Sequence, residues 1–135
     1  MSSQVCRRQV LAGAGVIAGV TLLGACSGES TALEPGIVLT PLADVPVGGS
    51  VTVTPEGGSP IVVGRPSEGT VVAVSAICTH QGCEVAPIDG EPQVLMCPCH
   101  HSEFETFTGD VLEGPAVDPL PEITVAVTGG NVVTA

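Results

Sequence analysis

The residues able to do chemistry are gathered between positions 78 and 102. Cys78-Thr79-His80-Gln81-Gly82-Cys83 comes first, and Cys97-Pro98-Cys99-His100-His101-Ser102 follows after a short spacer. Four of the six cysteines and all three histidines lie here. Cys78-x-His80 and Cys97-x-x-His100 offer two thiolates and two imidazoles from two loops, which is the donor set of a metal centre. A closed tetrahedral zinc site of two Cys and two His is one reading of that set. Zinc alone leaves Cys83 and Cys99 without a role. One stands in each loop, close to a candidate ligand, as a disulfide between the loops requires.

Such loops need a rigid frame, and the rest of the sequence reads as short strands and turns. Val, Gly, Pro and Thr dominate, and no segment keeps a helical period. Ile37–Thr40, Val51–Thr54, Ile61–Gly64, Val71–Ser75 and Val94–Met96 are β-branched or apolar runs. Pro46-Val47-Gly48-Gly49, Pro55-Glu56-Gly57-Gly58 and Pro66-Ser67-Glu68-Gly69 between them carry turn chemistry. Ile123–Thr128 and Asn131–Thr134 read as a hairpin around Gly129-Gly130. The expected fold is all-β, a small antiparallel sandwich or barrel. About a hundred residues bury only a modest core, so metal or covalent cross-links help such a domain.

The N-terminus reads as delivery apparatus. Arg7-Arg8 precedes an uncharged run to Ala25 and resembles a twin-arginine export signal, with Val10 where that pattern usually has Phe. As a helix, Val10–Ala25 spans about 24 Å, short of the ~30 Å hydrocarbon core of a bilayer. A single transmembrane anchor is the alternative, and an uncleaved signal serves as one. Leu23-Gly24-Ala25-Cys26 resembles a lipobox, which implies a lipid on Cys26; each buried methylene of such a chain contributes ~0.8 kcal/mol to membrane binding. The expected organisation is a signal or anchor over residues 1–26, a flexible tether over 27–36, and one domain over 37–135. Export places that domain in an oxidising compartment, where a disulfide persists.

Charge narrows the partners. The formal net charge is −11, and Arg7, Arg8 and Arg65 are the only basic residues besides histidine. Such a surface repels nucleic acid and anionic headgroups, and it suits transient docking against a basic partner.

Cys-Thr-His-x-Gly-Cys followed by Cys-Pro-Cys-His-x-Ser resembles the Rieske iron–sulfur proteins, specifically their disulfide-bearing, cytochrome bc-type branch. The resemblance runs over most of residues 37–135 and includes Gly114-Pro115-Ala116, which is similar to the family's proline loop beside the cluster. It implies one 2Fe-2S cluster, with Cys78 and Cys97 on one iron, His80 and His100 on the other, and a Cys83–Cys99 disulfide. Replacing two thiolates by neutral imidazoles removes negative charge and eases reduction. The range is roughly −150 to +300 mV, against about −400 mV for all-cysteine plant-type clusters. Electron uptake is then expected to carry a proton, as quinol oxidation requires.

Further residues are expected to tune the centre. Ser102 matches a serine whose hydroxyl donates to a bridging sulfide and raises the potential. Phe104 stands where high-potential members usually have Tyr, which implies one donor fewer and a lower potential; Phe104 also reads simply as core. His101 replaces the family's usual Gly and reads as an exposed loop residue. Gln81, at a position that is often Leu, borders the expected docking surface. An oxygenase needs a second iron held by two histidines and a carboxylate, and His101 alone remains for it.

The resemblance therefore implies an electron carrier on the extracytoplasmic face of the cell membrane. The leading expectation is the iron–sulfur subunit of a quinol-oxidising cytochrome bc-type complex, taking electrons from quinol at His100 and passing them to a c-type haem. The alternative is an accessory or stand-alone carrier of another exported redox enzyme, such as a molybdenum oxidase.

Overall fold

The computed structural model describes residues 33–135. Arg7, Arg8 and Cys26, and with them the expected export signal and lipid site, lie outside the described residues. Among the described residues, no helix is long and apolar enough to cross a membrane.

The strands form three small antiparallel sheets. One orders β1 (Val38–Pro41), β10 (Asn131–Thr134) and β9 (Val125–Thr128). A second orders β2 (Gly49–Val53), β3 (Ile61–Ser67) and β4 (Thr70–Ser75). The third orders β5 (Ala86–Ile88), β6 (Glu91–Met96), β7 (Glu103–Glu105) and β8 (Val111–Glu113). One 3-10 turn, Leu42–Asp44, follows β1.

The middle sheet explains the packing. Ile61, Val62, Val63 and Gly64 are buried in succession, so β3 has no solvent face there. Alternation along the strand then divides its side chains between two cores. Val62 and Val74 pack with Ala76, Cys78, Val85, Leu95, Cys97, Phe104, Ala116 and Leu120. Ile61, Val63 and Ala73 pack with Val45, Ile123 and Val132. Each fully buried Val or Ile contributes about 1.5–3 kcal/mol relative to exposure. The first core supports the metal-type loops, and the second is the base of the domain.

Gly64 lies on the face toward the first core, where a Cβ would come within 2.8 Å of Phe107 Cδ1. Its lack of a side chain lets the Phe107 ring lie against β3. At the far end of β3, Arg65 ties the 3-10 turn to the hairpin. Its Nη1 donates to the carbonyls of Leu42 and Val45 at 3.3 Å, and Nη2 donates to that of Glu68 at 3.1 Å.

Several local expectations are corrected. The turn expected over Pro66–Gly69 shrinks to Glu68-Gly69, because β3 continues to Ser67. Pro66 is tolerated because the pairing with β4 shifts register between Gly64 and Ser67, so no ladder hydrogen bond is asked of it. Strands β5, β7 and β8 were not expected, and β6 starts at Glu91 rather than Val94. The described end of the expected tether is tied down. Gly36 N–H donates to Thr134 O at 2.7 Å, and Thr134 Oγ1 donates to Glu34 O at 2.6 Å while accepting from Ile37 N–H at 2.9 Å.

Candidate metal centre

The two motifs fold into two turns of the same form. Strand β4 leads through Ala76 and Ile77 into the first, and an isolated bridge between Ile77 and Glu84 closes its base. There Cys78 N–H donates to Cys83 O at 2.7 Å, and Gly82 N–H donates back to Cys78 O at 2.9 Å. Strand β6 leads into the second. There Cys97 N–H donates to Ser102 O at 2.8 Å, and His101 N–H donates back to Cys97 O at 2.9 Å. Each motif thus begins with a cysteine pinned at both backbone groups, which fixes the direction of its Cα–Cβ bond.

The cysteines and histidines separate by depth. Cys78 and Cys97 are free thiols, 3% and 2% exposed, and both belong to the first core. His80 and His100 are exposed, with rings meeting edge to face and centroids 4.9 Å apart. Two thiols thus lie beneath and two imidazoles lie above, one of each from each loop. Cys83 and Cys99 are joined in a disulfide that links the loops.

This donor set fits a two-iron cluster better than a single ion. The three ligand-type side chains whose atoms gather within 4.8 Å are Cys83, Cys97 and Cys99. Two of these are committed to the disulfide, so that cluster marks where the bridge lies against Cys97. Among the described residues, no trio drawn from Cys78, His80, Cys97 and His100 is gathered as tightly. Tetrahedral donors around one zinc, at about 2.0–2.3 Å from the metal, stand less than about 4 Å apart.

A third segment, Gly114–Leu120, is fastened across both loops. It begins with a cis peptide between Gly114 and Pro115. Ser102 Oγ, fully buried, accepts from Ala116 N–H at 3.0 Å, which leaves its own proton to donate elsewhere. Thr79 Oγ1 donates to Asp118 O at 2.7 Å. Each cluster-type loop therefore holds this segment by one hydroxyl. The Thr79 bond was not anticipated from sequence; a hydroxyl residue between Cys78 and His80 was the available signal.

The remaining singled-out residues are placed as follows. Phe104 is fully buried in the first core, opposite Leu95 in the β6–β7 register, so its reading as a core residue holds. Pro115, Gln81 and His101 are exposed. His101 is the one non-glycine with positive φ among the described residues, at 62°.

Comparison with known proteins agrees with this geometry. A family model of the Rieske 2Fe-2S domain matches residues 37–124. The cytochrome b6-f complex iron-sulfur subunit of Chlorobaculum tepidum is 34% identical over 99 residues, covering 73% of this chain and 52% of that protein. The chain spans 35% to 52% of the lengths of the first such subunits it matches. In structure it is similar to the plasma membrane Rieske protein PetC3 from Synechocystis PCC 6803. That match has a TM-score of 0.62 and 31% identity, covering 73% of this chain and 98% of the other. A ferredoxin of Sphingomonas yanoikuyae B1 aligns with a TM-score of 0.57 and 26% identity, covering 72% of this chain and 94% of the other. With its two matched turns, its paired thiols and imidazoles and the disulfide between them, the chain belongs to the Rieske 2Fe-2S domain family and carries one cluster of that kind.

Proposed function

We propose that this protein is the iron–sulfur electron-transfer subunit of a quinol-oxidising cytochrome bc-type complex, passing electrons from quinol to a c-type haem. The observation that carries the reading is the layered donor set, with exposed His80 and His100 above buried Cys78 and Cys97. Cys78 and Cys97 hold one iron, and His80 and His100 hold the other. The cluster supplies one-electron chemistry at a potential eased upward by its two neutral ligands. This chain's residues present that chemistry. The thiols sit in a dry core that excludes solvent, and the imidazoles stand at the surface where a donor can reach them. His100 is the contact for quinol, and its outer nitrogen takes the proton that the quinol hydroxyl gives up. The kinship to b6-f iron-sulfur subunits supports this assignment. The protein acts at the extracytoplasmic face of the membrane, delivered by the Arg7-Arg8 signal and held by the anchor or a lipid on Cys26.

A second reading is a stand-alone or accessory carrier of another exported redox enzyme. It is favoured by the likeness to the plasma membrane Rieske protein and to the ferredoxin, which extends over 98% and 94% of those chains. A redox titration of the purified domain at several pH values, followed by visible circular dichroism, separates the two. A positive midpoint that falls as pH rises through neutral to mildly alkaline supports quinol chemistry. A midpoint near the bottom of the Rieske range, flat to high pH, supports the accessory carrier. A protein that binds zinc tightly and stays colourless after iron reconstitution overturns both.

A further inference from the structure

The sulfurs of Cys83, Cys97 and Cys99 all lie within 4.8 Å of one another. Two of them form the bridge, and the third is a free thiol. A thiol held against a disulfide is the arrangement that thiol–disulfide exchange requires. Cys78 is also a free, buried thiol, yet its sulfur is not in this group. The two buried thiols therefore differ, since one lies against the bridge and the other stands apart from it.

The surroundings set the direction of exchange. Cys83 is half-buried and packs against the first core, to which Cys97 belongs, whereas Cys99 is exposed. A Cys83–Cys97 bond lies in that core and still joins the two loops. A Cys97–Cys99 bond joins neighbours across Pro98 and leaves the loops unlinked. A sulfur leaving at Cys99 enters solvent, where its charge is hydrated as it departs. The backbone is already in place. Cys97 is held at both its N–H and its carbonyl, and Cys83 O accepts from Cys78 N–H. Side-chain rotation is the movement asked for.

We propose that Cys97 has a second chemistry: whenever it is not bound to iron, it attacks the bridge and moves it. The Cys97 sulfur gives its proton to solvent and bonds to Cys83 Sγ. The Cys83–Cys99 bond breaks, and its electron pair leaves on Cys99 Sγ, which takes up a proton. One disulfide and one thiol become another of each, so no oxidant or reductant is consumed. The inference rests on the assignment of Cys97 to iron made above. Ligation occupies the same sulfur, so the loaded protein keeps its bridge at Cys83–Cys99. After exchange a ligand is locked in a disulfide, and iron cannot be taken back until an added thiol reverses the step. Groups held together in one chain meet at an effective concentration of about millimolar or more, so exchange within the chain outruns exchange between dilute chains.

The test divides the cluster-loaded protein into two portions. One is stripped of iron by a chelator without oxygen or added thiol, and the other stands in the same buffer without chelator. Samples are quenched in acid over minutes to hours, the timescale of uncatalysed disulfide rearrangement. Free thiols are alkylated with a light reagent, bridges are reduced, and the released thiols receive its heavy form. Mass spectrometry then reads each cysteine in turn. In the stripped portion the heavy label moves from Cys99 to Cys97, while Cys83 stays heavy and Cys78 stays light. The rate is unchanged on dilution. Reloading with iron and sulfide falls in step with the heavy label on Cys97, and dithiothreitol given before reloading restores it.

A Cys97 that stays light after stripping, a Cys78 that turns heavy alongside it, or a rate that scales with protein concentration overturns the exchange. Equal movement of the label in the portion still loaded overturns instead the assignment of Cys97 to iron.

Discussion

Gly82 and His101 occupy the same place in two turns of one design. Each donates its N–H back to the carbonyl of the cysteine that opens its motif, and each has positive φ, 78° and 62°. Glycine adopts that region freely, whereas an L side chain there is disfavoured by about 1–2 kcal/mol.

His101→Gly is therefore expected to stabilise the domain by about 0.5–1 kcal/mol, part of the gain being offset by the freer unfolded chain. Gly82→Ala is expected to destabilise by about 1 kcal/mol, and for conformational reasons alone, since a Cβ at Gly82 meets nothing within 4 Å. Denaturation of the two variants side by side checks both signs. A neutral Gly82→Ala would show that the turns differ in solution.

Ser102→Ala removes the acceptor for Ala116 N–H at a fully buried position. Leaving that group unpaired is expected to cost about 1–3 kcal/mol. If the hydroxyl proton is a donor to the centre, the midpoint potential falls as well. A loss of stability with an unmoved midpoint would make Ser102 a fastener of the third segment and nothing more.

Phe104→Tyr tests the other tuning position. The ring is fully buried beneath the loops, so an added hydroxyl must find a partner. A raised midpoint is expected if the hydroxyl reaches a ligand sulfur. Destabilisation of about 1–3 kcal/mol with no change in midpoint would show that it reaches none.

The disulfide closes a loop with a sequence separation of 16 between Cys83 and Cys99. Cys83→Ala with Cys99→Ala is expected to remove about 3 kcal/mol in the chain-entropy account. Cluster absorbance should also bleach faster under mild denaturant, because the two loops are no longer held to each other. Unchanged bleaching would mean that the third segment alone keeps them together.

The parts of this fold visible in the sequence were those with an uninterrupted physical signal. Ile61–Gly64 reads as a β-branched strand run, and the two Cys/His motifs announce their loops by composition. The third sheet was mostly hidden. Ala86-Pro87-Ile88 and Glu103-Phe104-Glu105 span three residues each, too short for alternation to declare itself, and contain proline or paired acids. One signal was available. Asp89-Gly90, a dipeptide that signals a hairpin, joins β5 to β6, with Gly90 at φ 85°. Pro66 misled in the other direction, because a proline inside a bulge looks from sequence like the start of a turn. The equivalence of Gly82 and His101 depends on backbone geometry that two different side chains conceal.

The middle sheet is a party wall, with one room on each side. Val62 and Val74 furnish the room that takes in the Cys78 and Cys97 thiols; Ile61, Val63 and Ala73 furnish the other. Emptying the first room need not bring down the second, because the base keeps its own apolar filling and its own strand ladder. In protein stripped of iron, amide exchange should quicken through residues 77–85 and 97–102 while β1, β9 and β10 stay protected. A domain built this way can lose its cluster and still offer a standing frame on which to rebuild the centre.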